Sequence, residues 1–478
     1  MKMILNGQKK DASDLSTIEV INPATGAVID TVPAATIEDI ETAVGAAKAA
    51  QKIWAKVPVY EKVEILMKFL SLVEEHKEEL ARTLSDETGK PIREARGEIG
   101  NIPIAFKAFS EKAKHLYGNV VPAGLEAGQD KTILFTQREP IGVVVCIIPF
   151  NFPCDLFDQK VAPALLAGNA AIVKPSTDNP LTLCMLTALL AEAGVTPGAI
   201  QVLTGRGSVM GTPLCAHPDV HLVTLTGSTE VGIETAKAVA TNLTHTALEL
   251  GGNDAFIVLE DADVDLATEE LIWGRMYNTG QVCCASKRFL VHRNRVEEFS
   301  RKAVMKISAI RCGMPSEEES ELGCLISEKA AIGVEEQVKR TVEQGGTIIL
   351  GGNRKGAFYE PTVITDVPKT ADVAKDMEIF GPVVPIIAFD TIEEAIEIAN
   401  ASIFGLCGCV FSKDIKKAFR VADSLECGGA VINGASFFRS FEMPFGGYKF
   451  SGIGTEGVMS TFSEMTRTKS IVLKNILE

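Results

Sequence analysis

Two adjacent cysteines, Cys283 and Cys284, follow a glycine-containing turn in the segment NTGQVCCASKR. A cysteine becomes a nucleophile when a helix N-terminus, a cation or a neighbouring base favours its thiolate. Other free cysteines simply pack as small apolar side chains. The pair is therefore either reactive or part of the core, and the surrounding residues must decide between these interpretations.

Three polar side chains lie where they could assist such a thiol. Glu249 ends the apolar stretch HTALELGG, where burial would raise the carboxyl pKa towards that of a base working near neutral pH. Asn151, in PFNFP, carries an amide that could stabilise an oxyanion. Glu378 stands beside apolar and turn residues in EIFGP. The structural alternative for Glu249 is a carboxylate at a strand end that contacts water or caps a turn.

A cysteine hydrolase would pair its thiol with a histidine. Six histidines occur in the chain, and none lies in a segment with other features of a site. The hydrolase interpretation therefore has little support.

Two glycine-rich turns follow apolar strands and could bind a nucleotide. LTGRGSVMG, which contains Gly207, misses the dinucleotide fingerprint because its third glycine comes one residue late. LTGSTEVG, with Gly227, Ser228 and Gly232, precedes a helical segment, so backbone N–H groups and the helix dipole would face an anion. An ordinary turn capped by Ser228 is the alternative.

The segment KPST, which contains Lys174, Ser176 and Thr177, ends another predicted strand. Open α/β sheets bind ligands at the carboxyl ends of their strands, so Lys174 could contact ribose hydroxyls. The alternative is a solvated surface lysine.

The elements that must position these residues follow from hydrophobic periodicity. Apolar residues at three- and four-residue spacings predict helices over about residues 36–115, and NVVPAGLEAGQDKTILFTQREPIG predicts an extended arm. Short strands then alternate with helices from VVVCIIP through AIVKP, AIQVLTG, HLVTLTGS and AFIVLE, which predicts a parallel α/β sheet. A second α/β domain is expected from RFLVHR to AVINGA, with the boundary near ELGGND, and MTRTKSIVLKNILE predicts a terminal strand.

Composition excludes several classes of protein. A net charge of -15 argues against a nucleic-acid partner. The longest apolar run, IGVVVCIIPF, is too short for a membrane span, and the N-terminus lacks a signal-peptide pattern, so we expect a cytoplasmic protein. Eleven scattered cysteines indicate reduced thiols rather than disulfides, and their spacing predicts no metal site.

The order of PFNFP, KPST, LTGSTEVG, LELGG, NTGQVCC, EIFGP and PFGGYKFSG resembles the aldehyde dehydrogenase superfamily from about residue 18 onwards. The resemblance includes the branch of lactaldehyde, succinate-semialdehyde and non-phosphorylating glyceraldehyde-3-phosphate dehydrogenases. It implies an α/β fold with a Rossmann-like cofactor domain (1–119 and 139–252), an α/β catalytic domain (253–449) and a β oligomerisation arm (120–138 and 460–478). The arm implies a homodimer or homotetramer.

Matching motif by motif, the resemblance makes Cys283 the nucleophile and leaves Cys284 without chemistry. Asn151 and the backbone N–H of Cys283 would hold the oxyanion, and Glu249 would activate the hydrolytic water. Glu378 would hold the nicotinamide ribose. The implied cofactor-binding positions are Lys174, Ser176, Thr177, Gly207, Gly227, Ser228, Gly232, Glu378 and Phe380.

The cofactor is expected to be NADP or NAD. NAD-preferring members commonly carry a Glu where this chain has Thr177. Without that charge a 2′-phosphate is admitted, and Lys174 or Arg206 could attract it. The sequence therefore favours NADP.

The expected substrate is a small aldehyde. Succinate-semialdehyde members hold a carboxylate with arginines where this chain has Gln159 and Tyr277, and phosphate-binding members often place an Arg where Val282 stands. Arg439 remains as an anion anchor, unless it forms an ion pair with Glu442 or another acid. This set suits lactaldehyde, glycolaldehyde or a small singly anionic aldehyde.

Other interpretations stay open. Succinate-semialdehyde and phospho- or sulfo-aldehyde oxidation are alternatives for the substrate. A CoA-acylating relative usually lacks the water-activating Glu, so Glu249 favours hydrolysis. A non-catalytic role would be expected to erode the nucleophile, base or amide, and all three residues are present.

Overall fold

Apolar runs rich in Val, Ile and Leu form the central strands, and segments with apolar residues at helical spacing form the helices. The computed structural model describes residues 1–476. Its strands, in chain order, are β1 (Met3–Leu5), β2 (Gln8–Lys10), β3 (Thr17–Ile21), β4 (Val28–Pro33), β5 (Val120–Val121), β6 (Thr132–Pro140), β7 (Val143–Ile147), β8 (Ala170–Lys174), β9 (Ile200–Val202), β10 (Leu222–Thr226), β11 (His245–Glu249), β12 (Asp254–Val258), β13 (Ser286–His292), β14 (Thr347–Leu350), β15 (Arg354–Lys355), β16 (Phe358–Tyr359), β17 (Thr362–Thr365), β18 (Val383–Phe389), β19 (Phe404–Gly405), β20 (Cys407–Phe411), β21 (Gly429–Ile432), β22 (Tyr448–Lys449), β23 (Gly452–Ile453) and β24 (Thr466–Lys474).

The α-helices are α1 (Ile37–Trp54), α2 (Val59–Glu75), α3 (Lys77–Thr88), α4 (Ile92–Ala113), α5 (Pro153–Leu166), α6 (Leu181–Ala193), α7 (Gly207–Cys215), α8 (Thr229–Val239), α9 (Val264–Met276), α10 (Val296–Ser308), α11 (Glu328–Glu343), α12 (Ile392–Asn400), α13 (Ile415–Ser424) and α14 (Val458–Glu464). Helices α1 to α4 occupy the region where the periodicity predicts helices. Short 3₁₀ turns lie at Ala240–Asn242, Tyr277–Gly280, Arg293–Arg295 and Asp372–Ala374.

The first sheet has the strand order β2-β1-β9-β8-β7-β10-β11-β23. Strands β9, β8, β7, β10 and β11 are parallel, whereas β1 and β23 pair antiparallel at the two sides. The chain runs outwards from β7 through β8 to β9 and then returns to place β10 on the other side of β7. In doubly wound sheets such a reversal creates a crevice at the carboxyl ends of the strands.

Both faces of this sheet are buried, which explains why β7 is apolar at every position. Val144 and Cys146 pack with residues of α2 to α6, and Val143 and Val145 pack with residues of α1 and α7. Alternate side chains of a strand point to opposite faces, so a continuous apolar run serves two helical layers.

The second sheet has the order β14-β17-β18-β13-β12-β20-β21, parallel except for β14. It corrects one prediction, because the strand in AFIVLE, β12, lies between β13 and β20 rather than in the first series. The alternation of strands and helices along the chain could not show this, because only four residues separate β11 from β12 and the chain crosses from one sheet to the other within them. The crossing coincides with the ELGGND segment that was predicted as a boundary.

The arm is an antiparallel sheet in the order β24-β6-β5. Strand β24 pairs along its whole length with β6, from Thr466 opposite Pro140 to Lys474 opposite Thr132. The predicted boundary at residue 460 falls inside α14, which packs on α5 and α4, and residues 477–478 of the predicted arm lie outside the described residues. Apolar side chains remain exposed on this sheet, including Val120 and Val472.

Over residues 1–476, no helix combines the length and apolar character that a membrane crossing requires.

These elements confirm the expected mixed α/β fold with a Rossmann-like first domain, whereas the role of the arm in assembly stays a prediction.

Candidate active site

The carboxyl ends of the parallel strands of the first sheet carry most of the predicted residues. Strand β7 leads into PFNFP with Asn151, β8 ends at Lys174, and β10 leads into Gly227. Strand β11 ends at Glu249, which lies opposite Thr226 in the neighbouring strand. One edge of the sheet therefore gathers residues that are far apart in the sequence.

The thiols lie on the segment that enters the second sheet. The turn before Cys283 includes Asn278 and Thr279 in left-handed backbone conformation, at φ 50° and 55°. Gly280, at φ 75°, packs so tightly that an added Cβ would lie 2.3 Å from the carbonyl oxygen of Gly381. Only glycine fits there without displacement of that backbone.

The two thiols have opposite electrostatic environments. The adjacent Cys284 thiol lowers the pKa of the Cys283 thiol to about 7, and the charges of Lys287 and Arg439 act in the same direction against the effect of burial. Cys284 is buried, and its pKa is raised well above the usual value by the adjacent Cys283 thiol and by desolvation. Cys283 is thus the thiol that ionises near neutral pH.

The amide of Asn151 is held close to the nucleophile segment. Its Nδ2 donates to the carbonyl of Gln281 at 3.0 Å, two residues before Cys283. The carbonyl of Asn151 accepts hydrogen bonds from Asn278 Nδ2 and from Lys90 Nζ, each at 2.8 Å. These contacts fix the side of the thiol from which the amide can reach an oxyanion.

A buried ion pair supports this arrangement. Lys90 and Glu98 contact each other, and each side chain is 1% exposed. Glu98 also accepts the backbone N–H of Cys154 at 2.8 Å, at the start of α5. The pair therefore links α4 to the PFNFP loop on which Asn151 stands. Motif reasoning missed both residues, although a Lys in the short α3–α4 connection could have suggested a buried partner.

Glu249 is 5% exposed, and its Oε2 has no hydrogen-bond partner among residues 1–476. Burial, together with the charge of Glu456, raises the pKa of Glu249 well above its usual value. A Cys283 thiolate adds to this rise, which shows that the two groups act on each other. An unpartnered buried carboxyl of raised pKa can hydrogen-bond a water molecule and, once it has lost its own proton, accept a proton from that water.

A second charged group, which the sequence did not single out, lies beside Glu249. Glu456 binds Lys160 Nζ, and Arg439 Nη2 contacts Glu456 at 2.8 Å. Although burial opposes it, the charges of Lys160 and Arg439 lower the pKa of Glu456 to about 2. Arg439 therefore forms an ion pair, which was the alternative to an anion anchor, and its partner is Glu456 instead of Glu442.

The adenine end of the candidate cofactor site contains Lys174, Ser176 and Thr177. Lys174 is buried, which lowers its pKa to about 8, and its Nζ donates to the carbonyl of Pro175 at 2.9 Å. Thr177 donates to the carbonyl of Gly205 at 3.2 Å. Thr177 and Arg206 line one cavity of about 910 Å³, so both face space that a ligand can enter.

The glycine-containing turns before α7 and α8 leave space at the carboxyl edge of the first sheet. Ser228 caps α8 by accepting the N–H of Val231, and an added Cβ at Gly227 would find only ordinary contacts, with Leu225. Gly207 begins α7 with open space around it, whereas Gly232 packs against Leu250. The first turn of α8 therefore presents accessible backbone N–H groups, as a pyrophosphate site requires.

Glu378, the predicted contact of the nicotinamide ribose, is held by Lys287 and Gly252. Lys287 pairs with its carboxylate at 2.9 Å, and Gly252 N–H approaches it at 3.4 Å. An added Cβ at Gly251 would lie 2.7 Å from Glu378 Oε2, so a side chain there would displace the Glu378 carboxylate. Glu378 and Phe380 line a cavity of about 630 Å³. These features fit a dinucleotide along the whole edge.

Of the three predicted substrate residues, Tyr277 and Arg439 make aromatic contacts, and Gln159 is not placed in contact with either of them. Phe152 stacks parallel on Tyr277 with ring centroids 6.0 Å apart, and it contacts Phe437 at the same distance. Gln159 is buried within α5, and neither polar atom of its side chain has a hydrogen-bond partner among residues 1–476. Arg439 stacks over the Phe445 ring at 4.1 Å.

The first domain has a doubly wound sheet with an open glycine turn, and the second α/β domain carries an ionisable thiol. This combination is typical of enzymes that bind a nucleotide and react through a cysteine. Within that class the chain belongs to the aldehyde dehydrogenase family, since the model of the Aldehyde dehydrogenase family matches residues 10–471. The resemblance is thereby confirmed.

Individual relatives cover nearly the whole chain. The 3-sulfolactaldehyde dehydrogenase of Priestia aryabhattai is 39% identical over 98% of this chain and 97% of the relative. The lactaldehyde dehydrogenase of Methanococcus maripaludis is 35% identical over 96% and 97%. The crystal structure of betaine aldehyde dehydrogenase from Staphylococcus aureus in complex with NAD+ superposes with a TM-score of 0.95 at 34% identity, covering 100% of this chain and 95% of that chain.

The pKa difference between the thiols predicts their reactivity. Alkylation of Cys283 by iodoacetamide, followed by peptide mass spectrometry against pH, should rise with a midpoint at about pH 7. Cys284→Ala removes the adjacent thiol that favours the Cys283 thiolate, so the midpoint should move to higher pH, while most aldehyde-oxidising activity remains at pH 9. The exposed Cys312 provides the internal reference in each sample. An unchanged or lower midpoint in the variant would contradict this assignment.

Proposed function

We propose that this protein oxidises a small polar or anionic aldehyde, of the lactaldehyde or glycolaldehyde type, to the carboxylic acid with NADP or NAD. The observation that carries the proposal is the pairing of a thiol of lowered pKa, Cys283, with a buried unpartnered carboxyl, Glu249. The first group can add to a carbonyl carbon, and the second can activate water.

The chemistry begins when the Cys283 thiolate adds to the aldehyde carbonyl carbon and forms a thiohemiacetal oxyanion. Asn151 Nδ2 and the backbone N–H of Cys283 stabilise the oxygen. Removal of one such donor typically costs about 10²- to 10³-fold in rate. Because Asn151 is fixed through its carbonyl by Lys90 and Asn278, the amide reaches the oxyanion with little reorganisation.

When bound, the nicotinamide ring accepts the hydride that leaves the substrate carbon. Glu378 would hold the adjoining ribose, Lys174 with Ser176 and Thr177 the adenine ribose, and the Gly227–Ser228 turn the pyrophosphate. Loss of the hydride converts the adduct into a thioester on Cys283.

Once the adduct is a neutral thioester, the Cys283 charge that raises the Glu249 pKa is gone, so Glu249 can release its proton to solvent. The Glu249 carboxylate then removes a proton from water, and the resulting hydroxide adds to the thioester carbon and displaces the Cys283 thiolate. The acid leaves, and Cys283 returns as a thiolate. A buried carboxyl of raised pKa suits this step, because it accepts a proton at neutral pH more readily than an ordinary glutamate. This also favours hydrolysis over transfer of the acyl group to CoA.

Assembly and location belong to the same proposal. The exposed apolar side chains of the β24-β6-β5 sheet support a homodimer or homotetramer. The net charge of -15 argues against a nucleic-acid partner. The composition of the chain supports a cytoplasmic location.

Three substitutions should separate the steps. Cys283→Ala should abolish NAD(P)H formation, and Asn151→Ala should lower its rate by about 10²-fold or more. Glu249→Gln should give a single burst of about one NAD(P)H per active site and then slow turnover, since the thioester forms but is not hydrolysed. Stopped-flow absorbance at 340 nm with lactaldehyde measures all three.

The matched control is Glu343→Gln, an exposed residue at the end of α11, which should behave like the wild type. An active Cys283→Ala enzyme would refute the mechanism. Acceleration of the Glu249→Gln variant by CoA, with an acyl-CoA product in the wild type, would favour the acylating alternative.

Thr177 should set the cofactor preference. Since it faces the same cavity as Arg206, we expect a higher kcat/KM with NADP than with NAD. Thr177→Glu places a negative charge beside the 2′-phosphate, and like-charge contact should lower kcat/KM for NADP by about tenfold or more relative to NAD. Thr241→Glu, which adds the same charge on an exposed turn, is the control. A wild-type enzyme that strongly prefers NAD would contradict the assignment.

A further inference from the structure

Lys287 carries a buried charge between the nucleophile and the predicted ribose contact. It is the second residue of β13, four residues after Cys283, and its side chain is 1% exposed. A buried ammonium group needs a counter-charge and acceptors for its hydrogen atoms, because the water that it has lost is otherwise not replaced. The partners of Lys287 therefore indicate what this charge does in the interior.

The partners of Lys287 belong to the site itself. Its Nζ donates to the carbonyl oxygen of Cys283, pairs with Glu378 Oε1 at 2.9 Å and lies 5.7 Å from the centroid of the Phe380 ring. The next cation along β13, Arg288, differs, because its guanidinium donates to main-chain carbonyl groups. Arg288 thus holds backbone, whereas Lys287 holds a carboxylate that lines the cavity of about 630 Å³.

These contacts distinguish the two oxygens of the Glu378 carboxylate. Oε1 pairs with Lys287 and accepts the N–H of Gly252 at 3.4 Å. Neither of these donors uses Oε2, which lies on the side of Gly251, and the side chain of Glu378 is 21% exposed. Oε2 is therefore free to accept a hydrogen bond from a hydroxyl group in the cavity.

A second buried acid near Lys287 does not take the place of Glu378. Asp254 is 2% exposed, and burial raises its pKa to about 8, although the charge of Lys287 opposes this rise. Asp254 is therefore mostly protonated at neutral pH. Within residues 1–476, the carboxylate that pairs with Lys287 is that of Glu378.

The same cation acts on the thiol. The adjacent Cys284 thiol makes the largest contribution to the lowered pKa of Cys283. The charges of Lys287 and Arg439 lower this pKa further, whereas burial and the charge of Glu378 raise it. Because Lys287 and Glu378 act with opposite signs, their replacement should move the ionisation of the thiol in opposite directions. A residue that only maintained the fold would not produce this pattern.

We propose that Lys287 is a positioning residue, whose ammonium group fixes one oxygen of Glu378 so that the other oxygen binds a hydroxyl group of the nicotinamide ribose. The inference rests on the proposed function and deepens it, since it assigns the group that orients the ribose contact. The ammonium group is itself held by the carbonyl of Cys283. The ribose is thereby placed relative to the segment that carries the nucleophile.

The first test measures cofactor binding in the absence of aldehyde. The Kd values of NADPH and NADH, obtained from the fluorescence of the reduced cofactor, should rise by about tenfold in Lys287→Met, because a hydrogen bond to a charged group is weakened. Lys287→Arg keeps a cation and should retain part of the affinity. Lys413→Met, which removes an exposed lysine, is the matched control and should leave both Kd values unchanged.

A double-mutant cycle tests whether Lys287 acts through Glu378. Glu378→Gln should weaken cofactor binding by a similar factor, and adding Lys287→Met to it should change Kd by less than about threefold. Alkylation of Cys283 by iodoacetamide in the cofactor-free enzyme is the second readout. Its midpoint should move to higher pH in Lys287→Met and to lower pH in Glu378→Gln.

Different results overturn the inference and the proposed function. An unchanged Kd in Lys287→Met, full additivity in the cycle, or midpoints that move in the same direction overturn the inference and leave aldehyde oxidation standing. A wild-type enzyme that binds neither NADPH nor NADH overturns the proposed function, and the inference with it. Thermal unfolding checks the fold of each variant. If Lys287→Met does not fold, Lys287→Gln, which also removes the charge, provides the same comparison.

Discussion

The geometry of the active site depends on the buried ion pair between Lys90 and Glu98. Two charges that are both removed from water must remain paired and hydrogen-bonded, because loss of either partner leaves an uncompensated charge in the interior. Each partner also makes one directional hydrogen bond, Lys90 to the carbonyl of Asn151 and Glu98 to the N–H of Cys154. Because both buried charges must keep these partners, the ion pair fixes the positions of Asn151 and of the start of α5.

The surroundings of Cys283 and Glu249 shift the pKa values of these two groups in opposite directions. Cys283 and Glu249 are both buried or partly buried, and desolvation alone would keep both neutral. Local donors and cations reverse the effect at the thiol, whereas the charge of Glu456 reinforces it at the carboxyl. The resting enzyme can therefore hold a thiolate and a protonated glutamate together, which avoids two negative charges in one chamber. Glu456, Lys160 and Arg439 set this distribution without taking part in bond formation.

The sequence predicted those parts of the site that depend on strand order. Asn151, Lys174, Gly227 and Glu249 follow or end parallel strands, and carboxyl ends of parallel strands share one edge, so the motifs were sufficient. The supporting charges were not predictable in this way. Lys160 and its partner Glu456 are 296 residues apart, and only the packing of α5 against the C-terminal segment joins them.

The placement of β12 shows the corresponding limit for the fold. Its apolar residues fit a buried strand in either sheet, so the alternation of strands and helices could not show to which sheet β12 belongs. The distinction comes from hydrogen-bonded pairing with β13 and β20, a non-local property that single-sequence periodicity does not contain.

The close contact between Gly280 and Gly381 has a mechanical consequence. Gly280 belongs to the turn that carries Cys283, and Gly381 follows the segment that carries Glu378. With no side chain between them, the two backbones have no soft layer that could absorb a relative displacement. Movement of the Glu378 segment towards this turn would therefore press one backbone against the other. Backbone contact, together with the Lys287 side chain that binds both the Cys283 carbonyl and the Glu378 carboxylate, keeps the spacing between the two segments.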